Sequence, residues 1–107
     1  MDVHYIFVSD EYLLAINQKH LSHDFYTDII TFDNTQTPGK TMAEIYISVQ
    51  RVKENAVRFH TTFKNELHRV IFHGLLHLLG YDDSNQELKK MMTAKENEWL
   101  SQYESNL

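Results

Sequence analysis

Apolar and polar positions change period several times along this chain, and the changes divide it into seven elements. Residues Val3 to Val8 (VHYIFV) alternate large apolar with polar or β-branched residues, the period of a half-buried strand. Ser9 and Asp10 then offer helix-start side chains, and Leu13, Leu14 and Ile16 fall on one stripe of a helix expected from about Asp10 to His20. Ser22, His23 and Asp24 read as the loop that ends it. Tyr26 to Asp33 (YTDIITFD) and Thr41 to Ser48 (TMAEIYIS) are rich in β-branched and aromatic residues and predict two strands. The segment between them, NTQTPGK, holds the only proline beside a glycine, so the strands are expected to form a long-looped hairpin or to neighbour each other in one sheet.

From Val49 the period becomes helical, with Val49, Val52, Ala56 and Phe59 spaced by three and four until His60, Thr61 and Thr62 break it. A long helix from about Phe63 to Leu79 follows, and Gly80 is placed as its C-terminal glycine, where a left-handed backbone costs little. Ser84-Asn-Gln-Glu87 matches a capping box, and Leu88, Met91, Met92, Trp99 and Tyr103 then mark a last amphipathic helix. No repeat or low-complexity stretch interrupts this order. It describes an α+β fold: a small mixed sheet packed against several helices, within one domain spanning 1–107.

Composition narrows the chemistry. A hydrophobic fraction of 42% and a charged fraction of 23% are those of a globular protein. Without cysteine there are no disulfides and no thiolate ligands, so any metal site must use histidines and carboxylates. The start of the chain lacks a basic segment followed by a long apolar run, and Val70 to Leu79 is about half the ~20 residues of a membrane span, so a cytoplasmic protein with no membrane partner is expected. A net charge of −5 argues against a broad basic nucleic-acid surface. Arg51, Lys53, Arg58, Lys64 and Arg69 would permit a local positive face on the middle helices, or be ordinary solvated positions.

The chemistry concentrates in His73-Gly-Leu-Leu-His77-Leu-Leu-Gly80-Tyr-Asp-Asp83. Histidines four apart on a helix project from one face and can bind one ion. A reversal at Gly80 can swing Asp83 across that face as a third ligand, although Asp82 is adjacent and competes. Three protein ligands leave a fourth position for water, the mark of catalytic rather than structural zinc. The plainer reading makes both histidines hydrogen-bonded core residues. Against it, every other residue from Val70 to Leu79 is apolar or glycine, and an unpaired buried polar group costs roughly 1 to 3 kcal/mol. The metal site is therefore expected on a central buried helix, with one zinc per chain. In H-E-x-x-H metallopeptidases a glutamate follows the first histidine; Gly74 stands there instead. Glu66, two helical turns before His73, is the nearest substitute, or a residue that supports a ligand without touching the ion, or a solvated one.

The same residues resemble the YbeY family of bacterial endoribonucleases, also called rRNA maturation factors, whose signature is H-G-x-L-H-L-x-G-Y-D-H. His73 to Asp82 meet ten of its eleven positions. Thr27-Asp-Ile-Ile-Thr-Phe32 is similar to the family segment T-D-V-L-S-F, and Ala43-Glu-Ile-Tyr-Ile47 to G-D-I-x-I. Three departures stand out. Asp83 replaces the last histidine, and a carboxylate would leave bound water less acidic and favour harder ions. Leu21 stands where the family carries an arginine for RNA or phosphate contact, with Lys19, His20 and His23 as nearby substitutes. Family members generally begin with an additional strand and helix, which this sequence is expected not to include, as a truncated or a short member.

The resemblance implies zinc-dependent cleavage of single-stranded RNA in ribosomal RNA maturation and ribosome quality control. Its implied partners are RNA, with the ribosome or ribosomal proteins, and not DNA. No side chain is assigned as catalytic, since water on the ion or a ribose hydroxyl would attack. A non-catalytic ribosome-associated binding protein with a structural metal is the alternative, and a metallopeptidase-like hydrolase the third reading.

Overall fold

The computed structural model describes residues 2–21 and 26–105, apart from the side chains of Leu21 and Ser105. Strand β1 (Asp2–Val8) leads into helix α1 (Asp10–Leu21), followed by β2 (Ile29–Asp33), β3 (Met42–Ser48), α2 (Val49–Arg58), α3 (Phe63–Leu78) and α4 (Gln86–Ser105). All seven expected elements are present. The sheet order is β1-β3-β2, with β1 parallel and β2 antiparallel to β3, so the sheet is mixed.

The two-residue period of β3 sorts its side chains between two helical layers. Ala43, Ile45 and Ile47 are buried on one face, where Ile45 and Ile47 join Val52 of α2 and Val70 of α3 in the core. Register puts Ile29 and Thr31 of β2 opposite Ile47 and Ile45, on this same face. Tyr46, Ile30 and Phe32 lie on the other face, where His20 of α1 meets Phe32 edge-on at 6.1 Å. The helices thus lie on both sides of the sheet. Gly74 explains how closely α3 approaches: a Cβ there would stand 3.0 Å from the Cδ1 atoms of both Ile29 and Ile45.

Polar side chains set the ends of the elements. The Ser9 hydroxyl accepts from the Tyr12 N–H at 3.1 Å, so the expected start of α1 is capped. Ser48 caps α2 and Thr62 caps α3, each accepting a backbone N–H three residues on. Asp10 joins α1 to α2 through Arg51, whose Nη2 lies 2.6 Å from Oδ2.

Two of the differences from the expected boundaries have a side-chain cause. The residues Tyr26 to Asp28 precede β2 rather than forming its first turn of ladder; the exposed Tyr26 ring lies under the Arg51 guanidinium at 5.0 Å, a cation–π contact that replaces sheet packing. Helix α4 begins one residue later than a Ser84 cap requires. The Ser84 hydroxyl donates to Asp82 Oδ2 at 2.8 Å, and Asn85 Oδ1 instead accepts the Leu88 N–H at 2.8 Å. No helix among the described residues is long and apolar enough to cross a membrane.

Candidate metal centre

Helix α3 carries His73 and His77 one turn apart, and the chain leaves it through the turn that Gly80 allows. Gly80 has φ +98°, its N–H donates to the His77 carbonyl at 3.1 Å, and the Tyr81 N–H donates to the Leu76 carbonyl at 3.0 Å. This pair of bonds is a Schellman closure, which needs a left-handed residue at that position. It turns the chain back along the histidine face.

Asp83 thereby arrives beside both rings. His73 Nε2 and His77 Nε2 are 3.0 Å apart, and Asp83 Oδ2 lies 3.4 Å from the first and 3.7 Å from the second. Ligand atoms about 2.0–2.1 Å from a tetrahedral zinc stand about 3.3–3.4 Å from one another, a spacing that these three distances bracket. Two imidazoles and a carboxylate are also a donor set suited to that ion. The group His73, His77 and Asp83 could therefore hold a metal ion. Asp82 is turned elsewhere: it accepts the Asp83 N–H at 2.7 Å and the Ser84 hydroxyl, and these bonds lower its pKa.

The three side chains open onto a cavity of about 850 Å³ between α3, α4 and β2. Glu66 lines it and is 4% exposed, so the solvated reading of this residue is corrected. Burial, and then the nearby charge of Asp28, push its carboxyl above the usual range. Burial likewise raises Asp28, another lining residue, against opposing hydrogen bonding and the charges of His73 and Arg51.

Two neighbours were not singled out as partners of the site by sequence reasoning. Glu96 Oε2 lies 2.6 Å from His73 Nδ1, and Glu96 Oε1 accepts from Arg69 Nη1 at 3.1 Å. Burial disfavours a charged His73, but the Glu96 hydrogen bond and charge, with Asp83 and Asp28, outweigh it and raise its pKa. A signal for Glu96 was present, since it stands four residues from both Met92 and Leu100 in the buried stripe of α4. The basic face expected on the middle helices is partly consumed by pairing. Arg69 bonds Glu96 and Asn97, Arg51 bonds Asp10 and Glu54, and Lys53 sits 6.0 Å over the Phe63 ring. Of the substitutes near the missing family arginine, His20 packs on Phe32, while His23 and the Leu21 side chain lie outside the described residues.

Fold and cluster together define a class: an α+β protein in which one central helix and the turn after it present a His, His, Asp ligand set over a cavity lined by carboxylates. The sequence profile of the family described as Endoribonuclease YbeY matches residues 1–104, and the chain belongs to that family. A Cytophaga hutchinsonii protein named Endoribonuclease YbeY is 56% identical over 101 residues, 94% of this chain and 71% of the relative. A protein of the same name from Parabacteroides distasonis is 46% identical over 94% of this chain and 70% of its own length. The solution structure of a Thermotoga maritima protein superposes with a TM-score of 0.64 at 34% identity, covering 97% of this chain and 71% of that one.

Proposed function

We propose that this chain is a zinc-dependent endoribonuclease that cleaves single-stranded RNA, acting through one domain, with His73, His77 and Asp83 as ligands of one ion per chain. Ribosomal RNA maturation and ribosome quality control in the cytoplasm are its setting. The observation that carries the reading is the convergence of two Nε2 atoms and one Oδ2 on a single point beside an open cavity, in a chain whose relatives are named endoribonucleases.

Bound there, zinc supplies Lewis acidity toward a phosphoryl oxygen and a nucleophile at neutral pH. The protein's own part is to place the donors and shape the cavity. The histidines and Asp83 are roughly a quarter to a third exposed and line the cavity, through which substrate can reach them. Asp28, Asp33, Glu66, Asp83 and Glu96 line the cavity, and Arg69 is the one permanently positive residue among its described lining. An acidic wall repels phosphate, so free RNA binds weakly and salt-dependently, and a ribosomal protein or assembled particle delivers the substrate.

The structural-metal alternative needs a fourth protein ligand, and the cluster among the described residues has three. The metallopeptidase motif needs a glutamate directly after His73, and Gly74 lies there flush against the sheet. The test is His77→Ala in a preparation free of contaminating nucleases. Loss of both bound zinc and RNA cleavage is expected, together with a marked loss of zinc affinity in Asp83→Ala, because a coordinating side chain is removed. Full nuclease activity in His77→Ala would overturn the proposal.

A further inference from the structure

A carboxylate in the apolar stripe of a helix needs partners, because burying an uncompensated charge is strongly unfavourable. Glu96 is 6% exposed and has a partner on each oxygen. Its Oε1 takes Arg69 Nη1 at 3.1 Å, and Arg69 is itself fixed by a 2.7 Å bond from Nη2 to Asn97 Oδ1. Its Oε2 lies 2.6 Å from His73 Nδ1. A neutral imidazole carries one ring proton, and an ionised carboxylate can only accept. The contact therefore assigns the proton of a neutral His73 to Nδ1 and leaves the Nε2 lone pair facing His77 Nε2 and Asp83 Oδ2.

We infer that Glu96 is the positioning residue of the metal centre: it fixes the tautomer and ring orientation of His73, and Arg69 holds its carboxylate in the plane that does so. The inference rests on the proposed ligand set. A purely structural Arg69 and Glu96 pair would not explain the geometry, since one oxygen suffices for Arg69 and a buried ion pair is by itself a weak source of stability. The second oxygen is directed at the one ring nitrogen that cannot join the cluster. The centre thus draws on a third element: α3 and the turn after it supply donors, and α4 orients one of them.

Zinc affinity of the full chain, measured by chelator competition, tests this in the parent, in Glu96→Gln and in Glu96→Gln/Arg69→Met. The double variant removes both charges together, so no unpaired guanidinium is left behind. Nitrogen-15 NMR of the metal-free proteins at alkaline pH reads the His73 tautomer directly. The expected result is a 10- to 100-fold loss of affinity in both variants, the usual scale for an outer-shell partner. The same inference expects an Nδ1–H tautomer in the parent and a mixture in the variants, because an amide offers either donor or acceptor. Unchanged affinity and tautomer in variants that merely melt earlier would overturn the inference and leave the ligand set intact. A parent that binds no zinc would overturn the ligand set, and this inference with it.

Discussion

At the scale of single residues, the cavity carries a cost in its carboxyls. Glu66 and Asp28 are both held above the usual carboxylate range, chiefly by burial. A carboxyl whose folded pKa exceeds its unfolded value binds its proton more tightly when folded. Its favourable contribution is complete below the unfolded value of about 4.3 and is lost as pH rises through the raised folded value. At neutral pH an ionised Glu66 is therefore a net burden on the metal-free fold. Glu66→Gln is expected to raise the melting temperature of the metal-free protein at pH 7–8, with the gain shrinking toward pH 4, as thermal melts followed by circular dichroism across pH would record. A variant less stable at pH 8 than at pH 4, relative to the parent, would contradict this sign. The position of Glu66 two turns from His73 was legible in the chain; its burial was not, because that depends on how the residues from Thr27 to Asp33 and helix α4 close around the cavity it lines.

At the scale of elements, α3 and α4 each depend on one small feature. Gly74 lets α3 lie against Ile29 and Ile45, and a longer side chain there meets the sheet. Gly74→Glu, the substitution that would mimic a metallopeptidase motif, is expected to cost more than about 3 kcal/mol by urea denaturation, combining steric conflict with a buried charge. It should not create a peptidase. For α4, Asn85→Ala is expected to cost about 1 kcal/mol, and Ser84→Ala less than half as much, since Asn85 holds the first turn. The capping-box pattern located the start of α4 to within one residue. It could not choose between Ser84 and Asn85, because the choice depends on whether Asp82 engages the Ser84 hydroxyl.

At the scale of the whole molecule, the core and the metal centre are separable. Ile45, Ile47, Val52 and Val70 form the core with Tyr5, Leu67 and Leu78, and none of these is a ligand. Chelation is therefore expected to leave the far-ultraviolet spectrum unchanged. Zinc at a hundredfold its dissociation constant should add about 2.7 kcal/mol through linkage, a melting shift on the order of 10–20 °C for a domain of this size. Unfolding on removal of zinc would instead favour the structural-metal reading.

The linear sequence determined the elements, their order, the shared face of His73 and His77 and the reversal at Gly80. Each of these follows from side-chain period or from the backbone freedom of one residue, which are local properties of a chain. Only the tertiary structure decided that Asp83 rather than Asp82 meets the histidines, that α1 lies on the opposite face of the sheet from α3, and that Glu96 reaches His73 across 23 positions of sequence. Those outcomes turn on distances of a few ångströms between separate elements. Such distances arise from how the helices pack, and residue spacing along the chain does not encode them.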